Sequence, residues 1–372
     1  MKYPHRIKYS LKKLCLVLTV FLLIGCIAIS LTYQNHFTAY AVSGRNPSQA
    51  IPTSLYVSGS PVGIRLESDG VTVLGFVGFM AEGKFVNPGV NAGLQVGDCI
   101  LKVNQTQVRS SEELRKVVSA SEDGRLTLTI RRAGSEILLP VQVYKDDENG
   151  EYRIGVWVRD TVVGIGTMTF YDASTGCFAA LGHGISGEDG LVTISGGTIS
   201  KVIILDALRG KPGIPGELKG YFPEPLQVAG EVRKNCDCGI MGVCGDCYEK
   251  VFALKEYPVL VGAKVHTGKA SILSTVCGDT PEEYAVEITA TLKDRIYGTK
   301  GITLKITDDR LLERTGGIVQ GMSGSPILQD GYIVGAVTHV TMNDPTIGYG
   351  IFIENMMANI RDIKMDSHLR AS

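Results

Sequence analysis

The sequence predicts a mainly β protein arranged as an N-terminal membrane anchor, a small α+β module and a larger all-β part. Three observations carry that expectation. Glycine makes up 45 of 372 residues, about one in eight against a usual ~7%, and shows no three-residue period, so it marks turns rather than a collagen helix. Short runs of period-two alternation recur between these glycines, while long helical patterns are few. A single long apolar run, preceded by basic residues, stands at the N-terminus. Other classes are excluded. Charged residues are 20% and the mean hydropathy is +0.13, too apolar for a disordered chain. Lys plus Arg is 37 against 38 Asp plus Glu, a net charge of −1, which leaves no basic footprint for nucleic acid.

Residues 1–13 hold Lys2, Arg6, Lys8, Lys12 and Lys13 and no acid, and Leu14 to Leu31 is apolar apart from Thr19, Gly25 and Ser30. That run is about the ~20 residues that cross a bilayer. Its positive flank puts the start of the chain in the cytoplasm and everything after about residue 33 outside. Residues 1–33 therefore read as a cytoplasmic basic segment with a membrane anchor or uncleaved signal. Leu23-Ile24-Gly25-Cys26 also reads as a lipoprotein cleavage box that would leave Cys26 acylated; the alternative is an apolar cysteine within the anchor. Ser43, Gly44, Asn46, Pro47, Ser48 and Pro52 mark 34–55 as a linker.

Between 56 and 148 the elements follow the order strand, short helix, strand, helix, two strands. Gly70 to Leu74 alternates; Ser110-Ser111-Glu112-Glu113 is a capping box, followed by Leu114, Val117 and Val118 on one helix face. Leu126, Leu128 and Ile130 alternate, as do Ile137, Leu139, Val141 and Val143 after the Ala133-Gly134 turn. This order, with Ala92-Gly93-Leu94-Gln95-Val96-Gly97-Asp98 and Ile100, resembles a PDZ domain. PDZ domains add an extended peptide to an exposed sheet edge, and by that analogy Val62, Gly63 and Ile64 are the peptide-binding loop. The alternative is a module that only packs against its neighbour.

From 149 to 365 the chain is strand-like, with a tail at 366–372. One segment dominates it: Gly316-Gly317-Ile318-Val319-Gln320-Gly321-Met322-Ser323-Gly324-Ser325-Pro326-Ile327. A serine nucleophile needs a tight turn that exposes its oxygen, with backbone amides nearby for an oxyanion. Position 325 is Ser, so the G-x-S-x-G elbow is incomplete. The hairpin that follows, Pro326 to Gln329, Asp330-Gly331 and Tyr332 to Val340, replaces the helix such elbows need. Gly321 to Pro326 instead resembles the G-D-S-G-G-P signature of chymotrypsin-like peptidases. That resemblance implies a chymotrypsin-like β-barrel, Ser323 as nucleophile, and the amides of Gly321 and Ser323 as the oxyanion hole. Met322 stands where trypsin-like zymogens carry the Asp that pairs with a new N-terminus, so that activation route is unavailable.

The base comes from six histidines. His5 and His368 lie near the termini and His36 in the linker, leaving His183, His266 and His339. His183 sits among small residues in Ala179-Ala180-Leu181-Gly182-His183-Gly184, a strand-ending turn, and is the expected base. His339 packs near the site, and His266 lies in a solvated loop. Asp308 is the expected third member; Asp309 and a backbone carbonyl are the alternatives. In chymotrypsin-like chains the Asp lies much nearer the His than the Ser, so an acid 15 residues before Ser323 departs from that pattern.

The anchor, the PDZ-like half, Leu181 to Gly184 and Thr315 to Pro326 together resemble the SpoIVB peptidase family (stage IV sporulation protein B) of spore-forming bacteria. Gly335 to Val340, Asn343 to Thr346 and Gly348-Tyr349-Gly350 extend the match. The resemblance implies a serine endopeptidase exported across the forespore inner membrane into the intermembrane space and released from its anchor by self-cleavage. It implies that the enzyme cleaves itself and then a membrane-bound regulator of the intramembrane protease that processes pro-sigma-K. It also implies His183, Asp308 and Ser323 as the triad and no required cofactor.

One cluster stands outside that pattern. Cys236-Asp237-Cys238 and Cys244-Gly245-Asp246-Cys247 place four cysteines within 12 residues, a spacing that suits a structural zinc site as well as disulfides or free thiols. Two rival readings accompany the peptidase: a non-catalytic anchored PDZ scaffold binding membrane partners, and a metal-binding protein organised around these cysteines.

Overall fold

The computed structural model describes residues 52–187, 190–246, 248–292 and 298–369. The expected anchor, most of the expected linker, Cys247 and the end of the tail lie outside the described residues. Among the described residues no helix is long and apolar enough to cross a membrane.

Two six-stranded barrels organise the chain. In the N-terminal barrel, Val156–Asp172 pairs with Cys177–Ala180, followed in order by Gly239–Cys244, Val228–Cys236, Ile194–Lys201 and Pro61–Phe76. Pro61–Phe76 then pairs back onto Val156–Asp172 and closes the ring. Its interior holds Ile64, Leu66, Met168, Phe178, Ile199 and Ile240. The C-terminal barrel closes through Gly268–Ser274, Glu282–Thr291, Ile302–Ile306, Ile347–Phe352, Tyr332–Val340 and Pro326–Gln329. The alternation expected of barrel strands is explicit in Glu282–Thr291, where Tyr284, Val286 and Ile288 are buried and the residues between them exposed. The hairpin foreseen after the serine segment is present; Asp330 at φ 53° and Gly331 at φ 82° supply the two positive φ values of a tight hairpin turn. A third apolar cluster joins Phe170 and Met241 of the first barrel to Leu328 and Ile351 of the second. Met356 and Ile360 of the helix Ile353–Leu369 cover it.

The domain boundary differs from the sequence expectation. Residues 54–68 pair with the peptidase part, Pro61 onward within its barrel and Ser54–Val57 alongside it, rather than with the PDZ-like module or the linker. Ser54–Val57 pairs with Tyr171 and Phe170 on one side and with Lys255–Pro258 on the other. Pro61–Phe76 and Val156–Asp172 are long antiparallel partners from Thr167↔Pro61 to Val156↔Phe76. Their inner halves build the barrel and their outer halves enter the PDZ-like sheet, where Val71 and Thr72 also pair with Ile100 and Cys99. The module is thus inserted within the barrel and joined to it by one two-stranded ribbon. Period-two alternation continues on both sides of the junction, with the buried phase moving from Val62, Ile64 and Leu66 to Val71 and Val73, so composition alone does not mark a domain boundary.

Inside the module the sequence expectations hold. Ser110 caps the helix Ser111–Ser119 by accepting from the Glu113 amide, and Leu114 and Val118 are buried. Asp98, 1% exposed, accepts from the Gln95 amide at 2.8 Å and from Arg132 Nε and Nη2 at 2.6 Å each. A charge this buried requires such pairing, and the pairing fixes the Gly93–Asp98 turn.

Val62, Gly63 and Ile64 do not form a peptide-binding loop. They lie mid-strand, paired on one edge with Gly166, Ile165 and Gly164 and on the other with Lys201, Ser200 and Ile199. With both edges taken, no backbone remains to add a peptide strand. Val62 and Ile64 point into the barrel, and a Cβ on Gly63 would lie 2.1 Å from Phe222 Cε1.

Candidate active site

The serine segment begins where the helix Asp309–Thr315 ends on Gly316, a left-handed cap at φ 74°. Gly321 and Gly324 also hold positive φ, 99° and 96°, which other residues reach only under strain. At Gly324 a side chain is excluded twice over, because a Cβ there would stand 2.2 Å from the Thr167 carbonyl oxygen and 2.5 Å from the Leu181 amide. This contact is the seam between the two barrels. Across it, Thr167 N donates to the Ser323 carbonyl at 2.9 Å. The Thr167 and Thr169 hydroxyls donate to the Gly321 and Gly324 carbonyls, both at 2.8 Å. These threonines escaped the sequence reading; their i, i+2 spacing on one strand face is the signal that they act together.

Within this frame one side chain stays accessible. From Gly321 to Gln329 every residue is buried except Ser323. Ser325, the alternative hydroxyl, is fully buried and bonded to Ser274. The amides alternate in a telling way. Those of Gln320, Met322, Gly324 and Ser325 donate to backbone carbonyls, whereas those of Gly321 and Ser323 have no acceptor among the described residues. Two unspent N–H groups beside an accessible hydroxyl are what an oxyanion requires.

His183 arrives from the other barrel. The strand Cys177–Ala180 stops at a turn in which Gly182 N donates to Ala180 O at 2.9 Å. Leu181 sits at φ 69° and Gly182 at φ 67°. Positive φ at a leucine costs on the order of 1–3 kcal/mol, and the seam contact of Leu181 with Gly324 holds it. A Cβ on Gly182 would meet Thr338 Cγ2 at 2.9 Å, and the Thr338 carbonyl accepts from Ser323 Oγ at 3.0 Å. The turn carrying His183 and the turn carrying Ser323 therefore share Thr338 and converge. The Ser323 hydroxyl bonds Thr338 rather than His183 in this state.

His183 Nδ1 lies 3.0 Å from the Gly184 carbonyl. A carbonyl only accepts, so this contact places the proton on Nδ1 and leaves Nε2 basic. Its ring centroid is 5.0 Å from that of His339, which follows Thr338 on the strand Tyr332–Val340. Burial first, then the proximity of His183 and Lys300, lowers the His339 pKa to about 4. His339 is therefore neutral at neutral pH, and its Nδ1 is buried without a partner among the described residues. His266 behaves as expected of a solvated loop residue, pairing with Asp330 at 3.0 Å.

Asp308 is not brought to this site. It is the N-cap of the helix Asp309–Thr315, accepting from the amides of Arg310 and Leu311. It also accepts from the Ala285 amide at 3.2 Å and from Arg310 Nε and Nη2 at 3.2 and 3.0 Å. The Arg310 guanidinium, ahead of the backbone donors, holds its carboxyl below the usual range. Five donors use up the carboxylate where it stands. Among the described residues no carboxylate bonds either ring nitrogen of His183.

Cys236, Cys238 and Cys244 do not gather into one metal site. Cys236 pairs with Gly239 at the turn of a hairpin, while Cys244 pairs with Gly230 at its far end, roughly 17 Å along the strand at ~3.3 Å per residue. A tetrahedral zinc site holds its sulfurs ~2.3 Å from the ion, which this hairpin cannot offer to Cys236, Cys238 and Cys244 together. Among the described residues no group of three or more His, Cys, Asp or Glu is placed to hold a metal.

The family model for SpoIVB peptidase S55 matches residues 150–357, more than half of the chain, and a PDZ domain model matches 88–132. The peptidase match begins after the inserted module and so omits Pro61–Phe76, a strand of the closed ring, and Ser54–Val57, which pairs alongside it. No curated protein matches. Among solved structures, the PDZ domain of the SdrC-like protein from Listeria monocytogenes is 19% identical over 25% of this chain and 90% of its own, with a TM-score of 0.20. The chain belongs to the SpoIVB peptidase S55 family and is a serine peptidase with a PDZ domain.

Proposed function

We propose that Ser323 is the nucleophile, that His183 is the base, and that the chain is a chymotrypsin-like endopeptidase of sporulation signalling. The observation that carries this reading is the convergence of the Leu181–Gly184 turn and the Ser323 turn across the barrel seam. Substrate binding turns the Ser323 hydroxyl from Thr338 toward His183. Nε2 takes the Oγ proton as Oγ attacks the scissile carbonyl carbon, and the amides of Gly321 and Ser323 receive the oxyanion. His183 then gives that proton to the leaving amine, and water, activated by the same nitrogen, releases the acyl group. The Gly184 carbonyl takes the orienting place that an aspartate fills in other such sites.

Exported from the forespore and tethered by residues 1–33, the enzyme cleaves itself and then a membrane-bound regulator of the intramembrane protease that processes pro-sigma-K. The peptide edge lies elsewhere than at 62–64. From Val156 to Gly164 the ribbon strand is paired on one edge only among the described residues. Asp160 there accepts from Ser111 N and Oγ at 2.8 and 3.1 Å, tying the strand to the helix Ser111–Ser119. An open edge beside a helix suits strand addition. Ser323→Ala tests the reading: self-cleavage and regulator cleavage vanish while the fold and partner binding persist. Cleavage that survives in that variant overturns it.

A further inference from the structure

The four-cysteine motif is not absorbed by the peptidase chemistry, and one pair within it has both chemistry and position. Cys236 and Cys238 flank Asp237 at the turn between Val228–Cys236 and Gly239–Cys244, with Cys236 paired to Gly239. The two thiols are separated by the single residue Asp237 at this turn, and Cys236 Sγ contacts the Gly239 carbonyl at 3.6 Å. Both are half-buried and Asp237 at the tip is exposed, so a small oxidant has access. Cys244 lies at the far end of the hairpin, paired with Gly230, and is out of reach of this pair.

The same turn lies against the segment that carries His183. A Cβ on Gly239 would stand 2.5 Å from the Ala180 carbonyl and 3.2 Å from the Gly182 amide, and one on Gly184 would stand 2.7 Å from the Cys236 carbonyl. The preceding Asn235 bonds Ile185 N at 2.9 Å, Ile185 O at 2.8 Å and Val192 O at 2.9 Å. The hairpin turn thus grips the His183 turn on both sides.

We propose that Cys236 and Cys238 form a redox-active dithiol whose closure to a disulfide displaces the His183 turn and slows peptide cleavage. The coupling half of this proposal rests on His183 being the base. Both thiols are half-buried at the turn, so either opens the exchange and the other resolves it, and the steps balance in the same way from either side. With a disulfide oxidant such as oxidised glutathione, Cys236 loses its proton and attacks one sulfur, forming a mixed disulfide and releasing one glutathione thiol. Cys238 then loses its proton and attacks Cys236 Sγ, breaking the mixed disulfide and releasing the second glutathione thiol. Two protein thiols are oxidised and one glutathione disulfide is reduced. Ring closure brings the sulfurs to ~2.05 Å across the single residue Asp237. That turns the peptide groups that touch Ala180, Gly182 and Gly184.

The test uses the full chain in detergent, treated with oxidised glutathione or with dithiothreitol, then alkylated and analysed by peptide mass alongside Ser323-dependent self-cleavage. The expected oxidised peptide carries no alkyl group on Cys236 or Cys238 and lacks two hydrogens. Cleavage falls roughly ten- to a hundredfold, the scale of a ~1 Å displacement of a catalytic group, and dithiothreitol restores it. Cys236→Ser and Cys238→Ser keep the basal rate and lose the response. Both thiols remaining alkylatable, a persistent glutathione adduct, or bound zinc protecting the pair overturns the dithiol. A disulfide that forms without changing cleavage overturns the coupling. Absence of any Ser323-dependent cleavage overturns the coupling and the active-site reading together, while peptide mass still decides the dithiol.

Discussion

Replacing Asp308 by asparagine separates two roles that its sequence position confounds. In the structure its carboxylate caps a helix and ties it to the Ala285 amide and Arg310. Asparagine caps about as well as aspartate, whereas alanine loses about 1 kcal/mol. The Arg310 side chain is 60% exposed, so solvent screening limits that ion pair to at most about 1 kcal/mol. Asp308→Asn is therefore expected to cost under about 1 kcal/mol and Asp308→Ala about 1–2 kcal/mol, against a total stability on the order of 5–15 kcal/mol. Both variants stay folded, and their self-cleavage at 25 °C remains within a few-fold of the parent. His183→Ala, which removes the proposed base, is expected to lose on the order of 10²–10⁴ in rate. Denaturant unfolding measures the first quantity and the rate of self-cleavage the second. If Asp308→Asn unfolds at the parent midpoint yet is as inactive as His183→Ala, the assignment of Gly184 as the orienting group is refuted.

His339→Gln probes the half-buried imidazole. A pKa lowered from 6.5 to about 4 means that the folded state resists a proton the unfolded state takes up. The stability this group permits is full above pH 6.5 and falls as pH drops toward 4, by an amount that solvent screening of the half-buried ring keeps below about 3 kcal/mol, the full value at ~1.4 kcal/mol per pH unit. The variant is expected to lose less stability than the parent between those values in pH-dependent unfolding; identical profiles would show that His339 titrates normally. Gly63→Val tests the position once expected to bind peptide. Its Cβ would overlap Phe222, so it is expected to cost about 1–3 kcal/mol by overpacking, with cleavage falling only as far as the folded fraction falls. Unchanged melting with lost partner docking would restore the loop reading.

Where chemistry demands a local backbone shape, the sequence showed it. The glycines around Ser323 and before His183 announce turns that only an unusual backbone forms. The Asp330-Gly331 pair announces the hairpin that rules out a helix-bearing hydrolase. Likewise Ala92 to Asp98 announces the PDZ turn, down to the aspartate that accepts its amide. These signals are local, so they survive without coordinates.

What depended on long-range pairing was misread or invisible. The strand at 61–68 looks like the start of the PDZ module, because alternation has the same period in either domain. Only its pairing with 161–167 and 194–201 assigns it to the barrel. Thr167 and Thr169 carry no motif, and their role appears only when the second barrel presents the Gly321 and Gly324 carbonyls. Four cysteines in 12 residues read as one cluster, but an extended hairpin separates Cys244 from Cys236 and Cys238.

The amino-acid sequence by itself determined a glycine-rich, mainly β serine peptidase with a PDZ module, and it singled out Ser323 and His183. The tertiary structure decided which groups meet them. It gave His183 the Gly184 carbonyl in place of Asp308, and set the Cys236–Cys238 turn against the segment that holds His183. The physical reason is that a turn's shape follows from neighbouring φ angles, whereas the direction of a carboxylate and the company of a thiol follow from which strands close the barrels.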